Sequence, residues 1–430
     1  MSTRLNTTDK GFEEDFAALV RKDEENALKT RQVVTGILAD VRRRGDRAVL
    51  ELTRKFDAVA LKPDQLRFSD EEIDEAVAQT GREVVEALEF AHQRISSHHE
   101  KQIPKNQTYT DELGVTLGTI WTPVDAAGLY VPGGLASYPS SVLMNAVPAR
   151  VAGVRRIAMA VPTPRGEINP AVLAAARIAG VSEIYRVGGA QAVGALAYGT
   201  STVAPVDKIV GPGNAYVAEA KRQLFGSVGI DMIAGPSEIV VIADHSANPA
   251  WVAADLLAQA EHGAGARAIA IVTSPSLAES VEGEVKRQLS TLPHSTLARR
   301  GWADLGAIIV VPDVACAAEL SNRLAPEHLE LALDDPETVL PAIAHAGAIF
   351  MGHNTPEAIG DYVGGSNHVL PTDRTARFAS GLGTMDFMKR TSLLGCTSGA
   401  LAGLAKATRT LAQSEGLEAH ARSVSIRLNR

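Results

Sequence analysis

Cysteine is scarce in this chain of 430 residues, since only Cys316 and Cys396 occur. Two thiols exclude a cysteine-based zinc site and a disulfide framework, and they fit a reducing compartment. Aromatic residues make up only 4% of the chain, and positive charge is not in excess because the formal net charge is -8. Binding to nucleic-acid phosphates needs clustered Lys and Arg, so the charge balance argues against such a partner.

Long apolar segments are absent as well. The sequence has no run of about eighteen apolar residues, roughly the length that a membrane-spanning helix needs. The N-terminal stretch MSTRLNTTDKGFEEDF lacks the apolar core that follows the basic start of a signal peptide. We therefore expect a soluble, cytoplasmic protein that has no membrane partner.

The residues that are abundant indicate an α/β fold. The hydrophobic fraction is 45%, and the many Ala, Val and Gly residues are typical of helices packed on parallel sheets. Residues 28–56 and 70–101 have the apolar spacing of amphipathic helices. Short apolar runs then alternate with helical stretches in two series, residues 127–225 and 239–350. The sequence predicts two incomplete Rossmann-like parallel-sheet domains with additional small helical domains.

Glycine-rich turns follow three strands of the first series. They are GLYVPGG (128–134), VGGAQAVG (187–194) and VGPGNAYV (210–217). Ligands of open α/β sheets bind at the carboxyl ends of strands, where glycine lets the backbone approach and a helix N-terminus favours an anion. A dinucleotide or phosphate site is the natural inference. The fingerprint G-x-G-x-x-G is absent, however, and such turns also occur without a ligand.

Two polar pairs are candidates for chemistry. Gln259 and His262 stand three apart at the C-terminal end of a helix predicted over 249–261, where they can grip a cation or a polar substrate. Glu327 and His328 follow Pro326 in a predicted turn and suit acid/base work. Each pair also fits an ordinary solvated surface. His98, His99 and Glu100 are interpreted as a solvated helix face, although they resemble a metal cluster at first sight.

Other candidate ligands lie far apart in sequence, so spacing alone does not show that they converge. They are Asp361 and His368, within a polar, Gly-rich stretch (352–383), and His420 near the chain end. Long polar stretches of this kind are often functional. The final helical segment, from residue 399 on, has too few apolar residues to fold alone. We expect it to dock elsewhere on the protein or on a partner subunit.

The chain resembles the histidinol dehydrogenase family over nearly its whole length. The resemblance rests on GLYVPGG, VGPGNAYV, AGPSEI, QAEHG, APEHLEL, DYVGGSNHVLPT and EGLEAHARS, which occur in the family's order. It implies a zinc- and NAD-dependent oxidoreductase of histidine biosynthesis that forms an intertwined homodimer with shared active sites. The implied reaction is the four-electron oxidation of L-histidinol to L-histidine through the aldehyde.

The resemblance also implies roles for individual residues. Zinc ligands would be Gln259, His262, Asp361 and His420. Glu327 would activate water and His328 would act as general base. The substrate would contact Ser237, Gln259, His262, His328, Asp361, His368, Glu415 and His420. NAD would contact Tyr130, Gln191 and Asn214, which fall in the three glycine-rich turns.

From these assignments we expect four parts. They are an N-terminal helical segment (1–25), a zinc and substrate domain (26–110 plus 235–383), an NAD-binding domain (120–234) and a C-terminal helical tail (384–430). Cys316 and Cys396 have no activating His beside them and are interpreted as packing residues. Two other function classes are a zinc hydrolase, in which Glu327 and a zinc-bound water attack an amide, and a catalytically silent dinucleotide-binding module.

Overall fold

A computed structural model describes residues 3–20, 25–133, 138–263, 265–293 and 295–428. The helices in these ranges are α1 (Phe12–Val20), α2 (Glu25–Arg44), α3 (Asp46–Phe56), α4 (Asp70–Gln79), α5 (Arg82–Glu100), α6 (Pro139–Val151), α7 (Pro170–Ile178), α8 (Gly189–Tyr198), α9 (Ala215–Leu224), α10 (Pro249–Ala260), α11 (Pro275–Thr291), α12 (Thr296–Leu305), α13 (Val314–Leu324), α14 (Glu357–Tyr362), α15 (Ser398–Ser414) and α16 (Glu418–Leu428). The strands are β1 (Thr3–Asn6), β2 (Gln107–Thr110), β3 (Val115–Pro123), β4 (Ala126–Tyr130), β5 (Arg156–Val161), β6 (Glu183–Arg186), β7 (Lys208–Val210), β8 (Gly229–Ile230), β9 (Glu238–Ala243), β10 (Arg267–Val272), β11 (Gly306–Val310), β12 (His328–Ala332), β13 (Ala348–Met351) and β14 (Met388–Cys396).

The first sheet is parallel and has the strand order β6-β5-β4-β7-β8. Successive residues of a strand point to opposite faces, and both faces are apolar here. Leu129 packs in one core with residues of α6 and α7, whereas Tyr130 packs in the other with residues of α8 and α9. Burial on both faces explains why these strands read as continuous apolar runs.

The second sheet has the order β1-β11-β10-β9-β12-β13 and is also parallel. Without β1, its strand order matches that of the first sheet. In both sheets, the first three strands along the chain run from the centre to one edge, and the fourth and fifth strands lie on the other side of the first strand. This order is that of the Rossmann fold. Val241 packs on one face with α10 and α11, and Val240 packs on the other with α1 and α13. The prediction of two Rossmann-like sheets is confirmed.

The predicted association of residues 26–110 with the second sheet differs from the observed packing. Helices α2 and α3 pack on α8, while α4 and α5 pack on α7, so all four cover the first sheet. Residues 1–25 were expected to be helical, but they begin with β1, which pairs with β11 of the second sheet. Strand β1 therefore belongs to the second sheet, whereas helices α2 to α5 cover the first.

The C-terminal part is only partly helical. Strand β14 pairs along its whole length with β3, and β3 also pairs with β2. The three strands form a small antiparallel sheet that was not predicted from the sequence. Helices α15 and α16 pack mainly on each other. Leu394, Leu411 and Ile426 are 63–70% exposed. This C-terminal arm (388–428) therefore leaves much apolar surface uncovered in the single chain.

Two interpretations of single residues were wrong. His99 was expected on a solvated helix face, yet its side chain is fully buried and its Nδ1 lies 2.8 Å from the Ile95 carbonyl oxygen. Cys396 was expected to be a packing residue, but it is exposed on β14. Among the described residues, no helix has both the length and the apolar character needed to cross a membrane.

Candidate active site

Glu327 and His328 lie at the amino end of β12, which is between β9 and the edge strand β13 of the second sheet. His328 is the first residue of the strand and is in register with Ile239 of β9 and Ala348 of β13. The side chains are almost completely buried, since Glu327 is 5% and His328 4% exposed. A solvated pair in a surface turn is therefore excluded, and the pair needs partners inside the protein.

The main chain of Glu238, the first residue of β9, holds both side chains. Its N–H donates to Glu327 Oε2 over 3.0 Å, and its carbonyl oxygen lies 3.1 Å from His328 Nδ1. A carbonyl only accepts, so His328 Nδ1 carries the proton and Nε2 keeps its lone pair. His328 Nε2 is buried and has no hydrogen-bond partner in the described ranges. This nitrogen is therefore available to a ligand.

Burial sets the protonation of the pair. It lowers the pKa of His328 to about 3, although the hydrogen bond to the Glu238 carbonyl opposes this shift. Burial also raises the pKa of Glu327 well above its ordinary value, and the neighbouring Glu238 and Asp361 carboxylates add to that rise. Ser237 contributes a side-chain hydrogen bond to Glu327 that acts in the opposite direction. The imidazole is thus neutral near pH 7, and the Glu327 carboxylate is a stronger base than usual.

Helix α14 brings two further carboxylates to His328. Glu357 and Asp361 stand four apart and so share one face of the helix. Glu357 Oε1 lies 3.1 Å from His328 Nδ1, and Asp361 Oδ1 lies 3.8 Å from His328 Nε2. Burial raises the pKa of Asp361 to about 6 and that of Glu357 well above its usual range. Glu357 was not predicted from the sequence, although its spacing from Asp361 was a usable signal.

His368 connects this cluster to the first sheet. Its Nδ1 lies 3.0 Å from the Asp361 carbonyl oxygen, and its Nε2 lies 3.1 Å from the hydroxyl of Ser141 in the first turn of α6. Burial lowers the pKa of His368 to about 4. Ser141 lies near the carboxyl ends of the first sheet's strands, because α6 follows β4. Its contact with His368 therefore brings these strand ends close to the amino ends of the second sheet's strands. Nothing in the sequence singled out Ser141.

Gln259 and His262 lie at the C-terminal end of α10, which packs against α14. His262 lies just beyond the helix end, and its N–H donates to the Gln259 carbonyl oxygen over 3.2 Å. His262 is exposed, but the surrounding protein still desolvates its ring and lowers its pKa. It is close enough to His328 and His368 for its charge to lower their pKa values as well.

The Gln259 amide is a test of whether the site suits a metal ion. The residue is 1% exposed, yet neither Oε1 nor Nε2 has a hydrogen-bond partner in the described part of the chain. A buried amide without partners is costly unless a ligand satisfies it. An amide oxygen, an imidazole and a carboxylate form a donor set that zinc accepts. His328, Glu357 and Asp361 also have ligand atoms within 4.8 Å of one another. The residues therefore fit a divalent cation.

Glu415 and His420 lie elsewhere. Both are exposed, at the end of α15 and within α16. In the described ranges, neither side chain forms a hydrogen bond or an ion pair with the cluster around His328. Of the predicted zinc ligands, Asp361 lies 3.8 Å from His328 and His262 is near enough to affect the pKa of His328, while the side chains of Gln259 and His420 form no hydrogen bond or ion pair with this cluster in the described residues.

The predicted NAD contacts lie at the carboxyl edge of the first sheet. Tyr130 ends β4, and its hydroxyl accepts from the Gly189 N–H over 3.0 Å, while burial raises its pKa to about 12. Gln191 lies in the first turn of α8, is 1% exposed and has an Oε1 without a hydrogen-bond partner in the described ranges. Asn214 caps α9 by accepting from the Tyr216 and Val217 N–H groups over 3.0 and 3.2 Å. Dinucleotides bind at this edge of Rossmann-like sheets.

Known proteins of one family are similar to the chain over its whole length. The family model described as Histidinol dehydrogenase matches residues 20–428. The chain is 59% identical to the histidinol dehydrogenase of Rhizobium meliloti (strain 1021) and 58% identical to that of Agrobacterium fabrum (strain C58), with 100% of this chain and 99% of each relative covered. The crystal structure of histidinol dehydrogenase from Elizabethkingia anophelis is similar with a TM-score of 0.93 and 35% identity, covering 99% of this chain and 98% of that one. The chain therefore belongs to the histidinol dehydrogenase family.

Proposed function

We propose that Glu327 and His328 carry out the proton transfers in the NAD-dependent oxidation of L-histidinol to L-histidine, the histidine-biosynthetic reaction of this family. The observation that carries this assignment is their common support on the main chain of Glu238. That support turns the unpartnered Nε2 of His328 towards Asp361. Both side chains are rigidly held, which general acid/base catalysis requires.

His328 would serve the alcohol step. A neutral imidazole with a free Nε2 accepts the hydroxyl proton as hydride leaves the carbinol carbon for NAD⁺. Because burial disfavours the imidazolium, the accepted proton is passed on readily. Glu357 Oε1, 3.1 Å from Nδ1 of the same ring, is close enough to accept a hydrogen bond from that nitrogen.

Glu327 would serve the aldehyde step. Its raised pKa makes the carboxylate a stronger base, which suits removal of a proton from the water that adds to the aldehyde carbon. The resulting gem-diol loses a second hydride to a second NAD⁺ and becomes the carboxylic acid. A thiohemiacetal route is disfavoured, because burial raises the pKa of Cys316 and keeps its thiol protonated.

Gln259, His262 and Asp361 would hold zinc, with His420 of a partner subunit completing the set. When bound, zinc supplies a Lewis acid that fixes the imidazole and amino nitrogens of the substrate, and orientation of this kind is worth up to about 7–11 kcal/mol. The partnerless amide of Gln259 supports this assignment. Ser237, His368 and Glu415 would contact the substrate. Its carbinol carbon would face the turns that carry Tyr130, Gln191 and Asn214, which would bind NAD.

A comparison of the two half-reactions tests the division of labour. Single-turnover NADH formation is measured from L-histidinol and from L-histidinaldehyde with the zinc-loaded protein. We expect Glu327→Gln to slow aldehyde oxidation by about a hundredfold and alcohol oxidation much less, and His328→Ala to slow the alcohol step strongly. His353→Ala is a control, since His353 follows the carboxyl end of β13, whereas Glu327 and His328 lie at the amino end of β12. Equal slowing of both steps in both variants would remove the assignment.

A further inference from the structure

A buried ion pair lies beneath the carboxyl edge of the first sheet. Lys221 of α9 and Asp231, which follows β8, form a salt bridge with side chains only 2% and 0% exposed. Removing two charges from water is costly, and a buried pair is often no more stable than an apolar pair of the same size. The contacts of the pair therefore need a reason other than stability.

Both charges are directed at one residue, Gly211. The Lys221 ammonium donates to the Gly211 carbonyl oxygen over 3.0 Å, and Asp231 Oδ2 accepts from the Gly211 N–H over 2.8 Å. Gly211 has φ +108°, and a Cβ atom there would lie 2.2 Å from the Tyr130 carbonyl oxygen. The pair thus holds both polar main-chain groups of a glycine that is pressed against the end of β4.

Gly211 also opens the turn that leads to α9. This turn ends at Asn214, whose side chain caps the helix. A shift of Gly211 would therefore move two groups together, the end of β4 at Tyr130 and the start of α9 at Asn214. The pair has no net charge, so its influence on a ligand is geometric and not a long-range field.

We infer that Lys221 and Asp231 are positioning residues that fix this turn for NAD. The inference rests on the proposed function, in which Tyr130 and Asn214 contact the dinucleotide. Neither charged side chain needs to touch NAD, since each acts through Gly211. Loss of the pair should weaken NAD binding and leave the histidinol site, built on the second sheet, unchanged.

The decisive variant removes both charges at once, Lys221→Met with Asp231→Leu. Replacing both charges by apolar side chains removes the cost of burying them, which offsets the loss of partners for the Gly211 N–H and carbonyl, so the protein should still fold. In the zinc-loaded full-length protein, we expect the calorimetric Kd and the KM for NAD⁺ to rise by about tenfold, and the KM for L-histidinol to stay within about twofold. The milder Asp231→Asn keeps an acceptor oxygen for Gly211 and should raise the Kd less.

The matched control is the Arg156–Glu183 pair, which joins β5 and β6 of the same sheet at 3.0 Å. Arg156 begins β5, so this pair lies at the amino edge. Arg156→Met should lower the thermal unfolding midpoint and leave the Kd for NAD⁺ unchanged. A wild-type Kd in the folded double variant overturns the inference. If the double variant does not fold, a wild-type Kd in folded Asp231→Asn overturns it. Absence of NAD⁺ binding in the wild type would instead contradict the proposed function.

Discussion

Burial dominates the electrostatics of the residues around His328. Behind the site, Glu330 of β12 and Asp255 of α10 share a hydrogen bond, and burial raises their pKa values to about 9 and about 6. Together with Glu357 and Asp361, they form an acidic interior that binds protons when no cation is near. A divalent cation competes with those protons, so metal binding and protonation are coupled.

We therefore predict that zinc affinity falls as pH decreases through about 6, the pKa of Asp361. Only the ionised carboxylate is a good ligand, and protons compete for it below this pH. His262 should contribute little to this dependence, because desolvation lowers its pKa below the ordinary value for histidine. Competition with a chromophoric chelator, from about pH 8 to about pH 5, gives the dependence. An affinity that is flat between pH 7 and pH 5 would show that Asp361 is not a ligand.

The partnerless amide of Gln259 predicts opposite effects on stability and on metal binding. Gln259→Leu removes two unsatisfied buried atoms, so the metal-free protein should gain about 1 kcal/mol in the free energy of unfolding. Zinc affinity should fall, whereas NAD⁺ affinity should not change. Urea unfolding and calorimetry check the three quantities. Gln288→Leu is a control that should destabilise, because Gln288 Nε2 donates to the Ala250 carbonyl oxygen over 2.7 Å. Loss of stability in Gln259→Leu would contradict the prediction.

Sequence motifs identified some residues of the site but could not show how they meet. Gln259 and His262 are local in sequence, so their common helix end was predictable. Glu357 and Ser141 were missed, because each acts through a contact with a histidine far away in the chain. The burial of His99 was not predicted either, because a polar helical sequence does not show which of its side chains another element covers.

At the scale of elements, the strand ends bring the reacting groups together. β9 and β12 are adjacent only because the strand order reverses there, and this adjacency lets Glu238 hold Glu327 and His328. In the first sheet, the end of β7 meets the end of β4 through Gly211. The close approach of these two strands needs a residue without a side chain.

We predict that Gly211→Ala destabilises the protein by about 2 kcal/mol or more, because alanine is strained at this positive φ and its Cβ would clash with Tyr130. Gly283→Ala is the matched control. Gly283 lies inside α11, and a Cβ there would meet nothing within 4 Å. Alanine should stabilise that helix by about 0.5–1 kcal/mol. Thermal unfolding midpoints of both variants decide the matter, and an unchanged midpoint for Gly211→Ala would contradict the clash.

Most of the parallel strands were predictable, because they are buried apolar runs that alternate with helices. The short parallel strands β1 and β8 were not predicted, since neither has such a run. Strands β2, β3 and β14 were not, since β2 and β14 are exposed over most of their length and show no apolar pattern. Pairing of β14 with β3 joins segments far apart in sequence. Short polar strands of this kind are specified by tertiary contacts, not by local propensity.

In the whole molecule, the carboxyl ends of the strands of the first sheet lie beside the amino ends of the strands of the second. Tyr130, Gln191 and Asn214 lie at the carboxyl edge of the first sheet, and Glu327 and His328 lie at the amino edge of the second. The hydrogen bond between Ser141 and His368 joins these edges. In the proposed mechanism, this junction would bring the hydride acceptor on the first sheet next to the alcohol bound at the second.

The C-terminal arm keeps much of its apolar surface exposed in the single chain. Its strand β14 pairs on one side only in the described residues, and its helices expose Leu411 and Ile426. Exposed apolar surface of this extent marks an interaction site. Since Glu415 and His420 lie on this arm, docking it on a second copy of the chain would deliver both residues to the neighbouring active site.

We predict that two inactive variants restore activity to each other. His262→Ala and His420→Ala should each be nearly inactive as homodimers, because with the proposed ligand set every site would lack one zinc ligand. In a mixed dimer with shared sites, one site takes His262 from one subunit and His420 from the other and is intact, while the second site carries both lesions. Purified mixed dimers with two different affinity tags should therefore have about half the wild-type rate of NADH formation per dimer. If each subunit used its own His420, both sites of the mixed dimer would carry one lesion, and the mixed dimer would be as inactive as its parents.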